Sequence, residues 1–150
     1  MARKRRLQGR FGVVVSRFND FVTKRLLDGC LEAFATNRIP RGKIDVVWVP
    51  GAFEIPYACQ ELLRRRRYSA LVALGAVVRG QTPHFEYVAL AATEGILKVT
   101  LDTRVPIVFG VLTTETVRQA LDRSGARENR GREAAETAIE MAMLFKGKER

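Results

Sequence analysis

Residues 70–78 read Ala-Leu-Val-Ala-Leu-Gly-Ala-Val-Val, a continuous apolar run without a charged side chain. Such a run is typical of a β-strand that is buried on both faces, as strands are in a parallel sheet. Two further apolar segments precede it, over residues 11–15 and 44–49, and a fourth follows over residues 106–112. We therefore predict four buried strands.

Helical periodicity separates these strands. Val22, Leu26 and Cys30 recur at the spacing of one face of an amphipathic helix. The predicted helices cover residues 21–37, 54–67, 83–102, 114–124 and 129–146. Alternating strands and helices favour parallel pairing with right-handed crossovers. The predicted fold class is α/β, a three-layer α/β/α sandwich of the flavodoxin-like type around a four-stranded parallel sheet.

Length and composition fit one folded domain. Of the 150 residues, 47% are apolar and 28% are charged, which is unlike a disordered chain. No apolar run reaches the roughly 18 residues that a membrane-spanning helix requires, and no signal-peptide pattern follows the basic start. We predict a basic N-terminal arm over residues 1–10, a folded domain over residues 11–150 and a cytoplasmic location. Cys30 and Cys59 are predicted core residues, and with His84 as the single histidine no zinc site is expected.

The net charge of +10 predicts an anionic partner: a phosphorylated small molecule, a nucleic acid or a membrane surface. Much of the excess lies within residues 3–10 and 64–67. The second cluster ends a predicted helix, where cations are favourable, and is interpreted as a solvated helix terminus. The first lacks interleaved aromatic residues, and the chain has no recognisable nucleic-acid-binding motif.

Polar and aromatic residues follow the predicted strands, at the sheet edge where α/β folds bind ligands. Phe18 follows the first strand, and Phe53 and Glu54 follow the second. Either phenylalanine is a candidate surface for stacking a planar ring, with core packing as the alternative. Glu54 suits a helix start, where it would orient backbone amides toward a ligand.

The segment after the third strand carries the most specific signal. Thr82 before Pro83 predicts an N-cap and the first helical residue, and free N–H groups at such a helix start form an anion site. Gln81 and Thr82 would line it, with His84 one turn inside. A histidine beside an anion is suited to proton transfer near neutral pH, the alternative being an ordinary hydrogen bond at a helix start. These residues predict acid–base chemistry on a phosphorylated substrate with a ring nearby.

Five motifs complete the sequence pattern: Ser-Arg-Phe-Asn at 16–19, Pro-Gly-Ala-Phe-Glu-Ile-Pro at 50–56, Gly-Ala-Val-Val-Arg-Gly-x-Thr-Pro-His-Phe-Glu-Tyr at 75–87, Phe-Gly-Val-Leu-Thr at 109–113 and Ala-Ile-Glu-Met-Ala at 138–142. In this order and spacing the set resembles the 6,7-dimethyl-8-ribityllumazine synthase family of riboflavin biosynthesis. The resemblance implies a transferase that condenses 5-amino-6-(D-ribitylamino)uracil with 3,4-dihydroxy-2-butanone 4-phosphate, without a metal or organic cofactor. It implies attack of the amine on the ketone, elimination of phosphate, and ring closure with loss of water.

The resemblance also implies roles for individual residues. His84 matches the proton donor, and Phe18 matches an aromatic residue that stacks on the pyrimidine. Arg123 matches the arginine that binds the phosphate, and Phe109 matches a pyrimidine-site residue from the adjacent subunit. The implied contacts to the pyrimidine and the ribityl chain are Ala52, Phe53, Glu54, Ala76, Val77 and Val78. Gln81 and Thr82 match the positions that bind the butanone phosphate.

Two regions depart from the family pattern. Gln81 stands where the family has a small or acidic residue. Residues 125–131 form a loop that is shorter than usual, with arginines in place of two lysines, and Arg130 is the candidate partner for phosphate or for a glutamate. Since the family builds its sites between neighbouring subunits, the resemblance implies a homopentamer, and the short loop favours a sixty-subunit icosahedral capsid.

Two rival interpretations remain at this stage. One is a basic nucleic-acid-binding module that uses the N-terminal arm, and the other is a related condensing or dismutating enzyme of riboflavin synthesis on the same fold. The strand-end motifs favour the synthase. Its expected partners are the two small substrates and further copies of the chain, with no membrane or nucleic acid.

Overall fold

The computed structural model describes residues 9–146 and confirms the predicted alternation of strands and helices. Within that range the elements are β1 (Phe11–Ser16), α1 (Asp20–Thr36), β2 (Ile44–Val49), α2 (Ile55–Arg65), β3 (Ala70–Val78), α3 (His84–Thr103), β4 (Ile107–Thr114), α4 (Val117–Asp122) and α5 (Arg130–Leu144). Short 3-10 turns, Arg41–Lys43 and Ala52–Glu54, precede β2 and α2.

The strands form one parallel sheet in the order β2-β1-β3-β4. Helices α1 and α5 pack on one face, and α2 and α3 pack on the other, so the predicted three-layer sandwich is confirmed. Among the described residues, β1 and β3 are paired on both sides, whereas β2 and β4 each have an open edge. All four carboxyl ends lie at one edge of the sheet because the strands are parallel.

The core consists of two layers because side chains alternate along each strand. Val13 and Val15 of β1 face α1 and α5, while Val14 faces α2 and α3. In the core layer between the sheet and helices α1 and α5, which we call the first layer, the ring centroids of Phe11 and Phe34 are 5.0 Å apart. The core layer on the α2 and α3 side is the second layer. Burial on both faces explains why the central strands have continuous apolar sequences.

Both cysteines lie in the core, as predicted. Cys30 of α1 is in the first layer and Cys59 of α2 is in the second, and neither is exposed. Burial raises the pKa of each thiol to about 12, so neither side chain is a thiolate at neutral pH.

Helices α1 and α5 approach each other closely where α5 begins. A Cβ atom at Gly131 would overlap the carbonyl oxygen of Leu26, so only glycine fits at this crossing. Asn129 caps α5, and its Nδ2 donates to the Arg25 carbonyl over 3.1 Å. These contacts fix the start of α5 against α1 and thereby determine the position of Arg130.

The end of β4 differs from the prediction. The strand continues through Thr114, which is in register with Val78, and α4 begins at Val117 instead of at residue 114. Thr116 caps α4, because its side chain accepts from the Gln119 N–H and the Gln119 side chain accepts from the Thr116 N–H. The predicted boundary was wrong because pairing with β3 extends the strand.

The arginine cluster at residues 64–67 ends α2, as predicted, and part of the basic arm is held beside it. Asp45 of β2 accepts hydrogen bonds from Arg10 over 2.8 Å and from the Tyr68 hydroxyl over 2.7 Å, and Arg66 lies 3.5 Å away. Burial, together with the hydrogen bond to Asp45, raises the pKa of Tyr68 to about 12. The rest of the predicted arm, residues 1–8, lies outside the described residues.

Candidate active site

The turn after β1 holds Phe18 beside the turn after β2. The backbone N–H groups of Arg17 and Phe18 donate to the carbonyls of Val49 and Pro50 over 2.8 and 3.0 Å, so main-chain pairing continues beyond the strands. Asn19 has a left-handed backbone conformation, with φ of 60°, and its Nδ2 donates to a carbonyl of β3 over 2.9 Å. The Phe18 side chain is consequently displayed at the edge, with 71% of its surface exposed.

The 3-10 turn Ala52–Glu54 presents a second aromatic side chain at the same edge. Ala52 is buried in the core. Phe53 and Glu54 are exposed, and Pro56 occupies the first turn of the following helix, as predicted. Phe53 is therefore not a core residue, and both phenylalanines are available for stacking.

Ala76, Val77 and Val78 form the last residues of β3. The first two side chains are buried in opposite core layers, and Val78 is half-buried. Ala76 also accepts the hydrogen bond from Asn19. Ala76 and Val77 therefore expose little surface at the sheet edge, and Val78 exposes more.

The loop after β3 brings Gln81, Thr82 and His84 to the edge, and all three are exposed. The predicted capping is wrong by one residue: the Pro83 carbonyl accepts the first helical hydrogen bond, so Pro83 is the N-cap and Thr82 makes no capping bond. His84 is consequently the first residue of α3 and not one turn inside. The helix geometry leaves the N–H groups of His84 and Phe85 without helical partners, which is the feature on which the predicted anion site depends.

Arg79 links the two sides of this loop. Its side chain is within 2.7 Å of Glu115 and 3.3 Å of Glu86, and its guanidinium carbon is 4.7 Å from the centre of the Phe85 ring. Hydrogen bonds to both carboxylates raise the pKa of Arg79 above its ordinary value, the bond to Glu86 contributing most. The sequence motif contained Arg79, but its partner after β4 is too distant along the chain for a local pattern to indicate the pair.

A second group lies along the outer strand, β4. Phe109 is in the middle of that strand and is 43% exposed. It lines a cavity of about 530 Å³ together with Arg123, Arg130, Glu133 and Thr137. The structure therefore brings together one aromatic ring and two arginines from β4, the end of α4 and the start of α5.

Short contacts position the two arginines. The Arg130 N–H donates to the Arg123 carbonyl over 2.8 Å, and Arg123 Nη1 donates to the Gln119 carbonyl over 3.0 Å. Arg130 also lies 3.2 Å from each of two carboxylates, Glu128 and Glu133. The structure thus contains glutamate partners for Arg130, as predicted. The Arg123 side chain instead donates to a backbone carbonyl, that of Gln119.

The predicted site residues fall into two groups in one chain. We call Phe18, residues 52–54, 76–78 and 81–84 the carboxyl-edge group, and Phe109, Arg123 and Arg130 the β4 group. Phe109 is in register with Ala73, which places it roughly 16 Å along the strand from the end of β3. Within the described residues, the cavity of the β4 group is lined by no member of the carboxyl-edge group.

A family model described as 6,7-dimethyl-8-ribityllumazine synthase matches residues 8–146. The chain belongs to this family. The 6,7-dimethyl-8-ribityllumazine synthase of Thermosynechococcus vestitus is 50% identical over 140 residues, which cover 91% of this chain and 79% of the relative.

These matches confirm the predicted enzyme class. The protein is a transferase of riboflavin biosynthesis, and its reaction is the condensation that forms 6,7-dimethyl-8-ribityllumazine. The family membership also favours the enzyme over the nucleic-acid-binding module and over the other enzymes of riboflavin synthesis. Of the helices in residues 9–146, none has the length and apolar character needed to cross a bilayer.

Proposed function

We propose that each active site is completed by two copies of the chain, one supplying the carboxyl-edge group and its neighbour supplying the β4 group. The observation that carries this proposal is the separation of the two groups within one chain. A ring of identical subunits, each meeting the next through unlike surfaces, would bring the groups together at every interface.

The carboxyl-edge group is proposed to bind 5-amino-6-(D-ribitylamino)uracil. Phe18 is exposed on a turn whose main chain is hydrogen-bonded to Val49 and Pro50, so its ring would offer a well-positioned face for stacking on the pyrimidine. The turn of residues 52–54 packs against β3. Its exposed Phe53 ring and Glu54 carboxylate, together with the half-buried Val78, would contact the pyrimidine and the ribityl chain, with Ala52, Ala76 and Val77 beneath them. Phe109 of the neighbour would close the ring site from the other side.

The butanone phosphate is proposed to bind where the anion-binding helix start meets the neighbour's arginine. Gln81 and Thr82 precede the free N–H groups of α3, which favour a phosphate through their direction and the helix dipole. Arg123 would donate two hydrogen bonds to the phosphate, as a planar guanidinium can. Arg130, whose charge is offset by Glu128 and Glu133, would support Arg123 through the hydrogen bond from its backbone N–H to the Arg123 carbonyl.

His84 is proposed to transfer the proton that the condensation requires. Its side chain is exposed and makes no hydrogen bond within the described part of the chain, so the alternative of an ordinary structural bond lacks support. In the proposed sequence the amine attacks the ketone and water leaves to form an imine. Phosphate is then eliminated, and ring closure releases a second water. His84 would protonate the leaving oxygen or accept a proton from the amine.

A homopentamer, and beyond it a sixty-subunit capsid, is the proposed assembly. Helix α3 carries an exposed apolar stripe at helical spacing, formed by Tyr87, Leu90, Leu97 and Leu101, the first 71% and the last 68% exposed. A stripe of this kind indicates a surface that is buried against another copy. The loop between α4 and α5 is compact, since the Gly125 N–H donates to the Glu128 carbonyl over 2.9 Å, and would not obstruct packing between pentamers. The proposed location is the cytoplasm.

The test combines an activity assay with a measurement of size. Purified protein is mixed with both substrates, and the fluorescence of the lumazine and the release of phosphate are followed, with each substrate omitted in turn as a control. Sedimentation and light scattering on the same sample determine the assembly. We expect product in an assembly of at least five chains. An active monomer would overturn the shared site, whereas an active pentamer would overturn only the capsid.

A further inference from the structure

Arg79 joins three elements at the carboxyl edge. It follows β3, and its Nε lies 2.7 Å from Glu115, which follows β4. Its Nη1 lies 3.3 Å from Glu86 in the first turn of α3, and its guanidinium stacks on the ring of Phe85 in the same turn. The Arg79 backbone N–H also donates to β4, to the carbonyl of Thr114, over 2.9 Å. One side chain therefore holds the start of α3 against the ends of β3 and β4.

The loop that Arg79 spans has little else to hold it. Only residues 80–83 separate Arg79 from His84, the first residue of α3. Across the described range, the side chains of Gln81, Thr82 and His84 make no hydrogen bond, and all three are exposed. The placement of the His84 imidazole then depends on how the first turn of α3 is fixed relative to the sheet.

We propose that Arg79 is a positioning residue for His84. The inference rests on the proposed role of His84. The guanidinium is engaged by two carboxylates and by an aromatic face, so its charge is offset locally and its Nε and Nη1 donors are already occupied. A planar fork reaches both carboxylates in fixed directions, which a lysine ammonium does not reproduce.

Substitutions at Arg79 and at its partner Glu115 distinguish positioning of His84 from direct binding of the butanone phosphate by Arg79. We expect Arg79→Ala to lower kcat by about tenfold and to leave the KM for the pyrimidine substrate unchanged. The expected loss is of this size because small displacements of a catalytic group lower rates by up to about 10²-fold. Arg79→Lys should recover part of this loss. Glu115→Gln should lower kcat in the same direction but less.

The opposite pattern would overturn the proposal. If Arg79 binds the butanone phosphate itself, Glu115→Gln removes a carboxylate that competes for the Arg79 guanidinium. The KM for the butanone phosphate should then fall or stay constant, with kcat unchanged. Arg64→Ala is the matched control, because it removes an arginine from an exposed pair with Glu61, 3.2 Å away on α2, and should leave both constants unchanged. Circular dichroism and sedimentation of every variant exclude loss of folding or assembly.

A double-mutant cycle with His84→Ala completes the test. If Arg79 acts through His84, Arg79→Ala should cost less than about twofold once His84 is absent, although it costs about tenfold in its presence. Equal losses in both backgrounds would overturn the role of Arg79 and leave that of His84 intact. Wild-type kinetics in His84→Ala alone would instead overturn the proposed role of His84, and the inference for Arg79 with it.

Discussion

Mixing two defective variants tests whether each active site is shared between copies of the chain. His84 belongs to the carboxyl-edge group and Arg123 belongs to the β4 group, so the proposed site takes the two residues from different chains. An assembly formed from His84→Ala and Arg123→Ala chains then contains some interfaces at which both residues are intact. A site within one chain would contain a defect in every copy.

The expected gain follows from this placement. His84→Ala alone should lose up to about 10²-fold in rate. Arg123→Ala alone loses a charge-assisted contact of about 1.5–3 kcal/mol, or roughly 10- to 150-fold in kcat/KM. In a random assembly from equal amounts, about one quarter of the interfaces join two intact groups. The mixture should therefore recover about a quarter of the wild-type activity.

The assay requires chains that exchange before they assemble. The two variants are unfolded together, refolded together and compared with a mixture of the separately assembled variants, which should show no gain. His84→Ala mixed with Phe18→Ala is the matched control, because both residues belong to the carboxyl-edge group and no interface then has both intact. Native mass spectrometry verifies that mixed assemblies form. Activity no higher than the mean of the two pure variants would refute the shared site.

Three further predictions concern single substitutions. His84→Ala should lower kcat by up to about 10²-fold. The midpoint of urea unfolding should not change, because the His84 side chain is exposed. Wild-type kinetics of this variant across the pH range would contradict the role of His84 in proton transfer. In steady-state assays, Arg123→Ala should raise the KM for the butanone phosphate. An equal rise in the KM for the pyrimidine would count against a role of Arg123 in phosphate binding. Gly131→Ala drives a Cβ into the Leu26 carbonyl and should destabilise the fold by about 1–3 kcal/mol in urea unfolding. Gly42→Ala, where a Cβ meets nothing within 4 Å, should change stability by less than about 1 kcal/mol, and equal effects would refute the packing argument.

The sheet was predictable because burial on both faces imposes a recognisable composition. The β2 and β3 boundaries agree with the prediction at both ends, Ile44–Val49 and Ala70–Val78. The β4 boundary was not predictable from the local sequence, since Thr113 and Thr114 suit a strand and a helix start alike. Pairing with Val77 and Val78 of the neighbouring strand extends β4, and only the fold supplies that partner.

The positions of the candidate-site residues were predictable where these residues are adjacent in sequence and not where they meet through the fold. Gln81, Thr82 and His84 follow one strand, so a motif placed them at one edge. The cap was misassigned because Thr82 and Pro83 both suit the start of a helix, and the first hydrogen bond to the Pro83 carbonyl decides between them. The pair of Arg79 with Glu115 joins two strand ends and leaves no local signal.

The charges around the β4 group assign different parts to its two arginines in the proposed site. Arg130 lies 3.2 Å from both Glu128 and Glu133, so two carboxylates already offset its charge and compete with a phosphate for its donors. Arg123 donates to one backbone carbonyl, that of Gln119, which carries no net charge. A phosphate entering this cavity therefore meets Arg123 at lower electrostatic cost. Arg130, whose backbone N–H donates to the Arg123 carbonyl, contributes mainly by holding that residue in place.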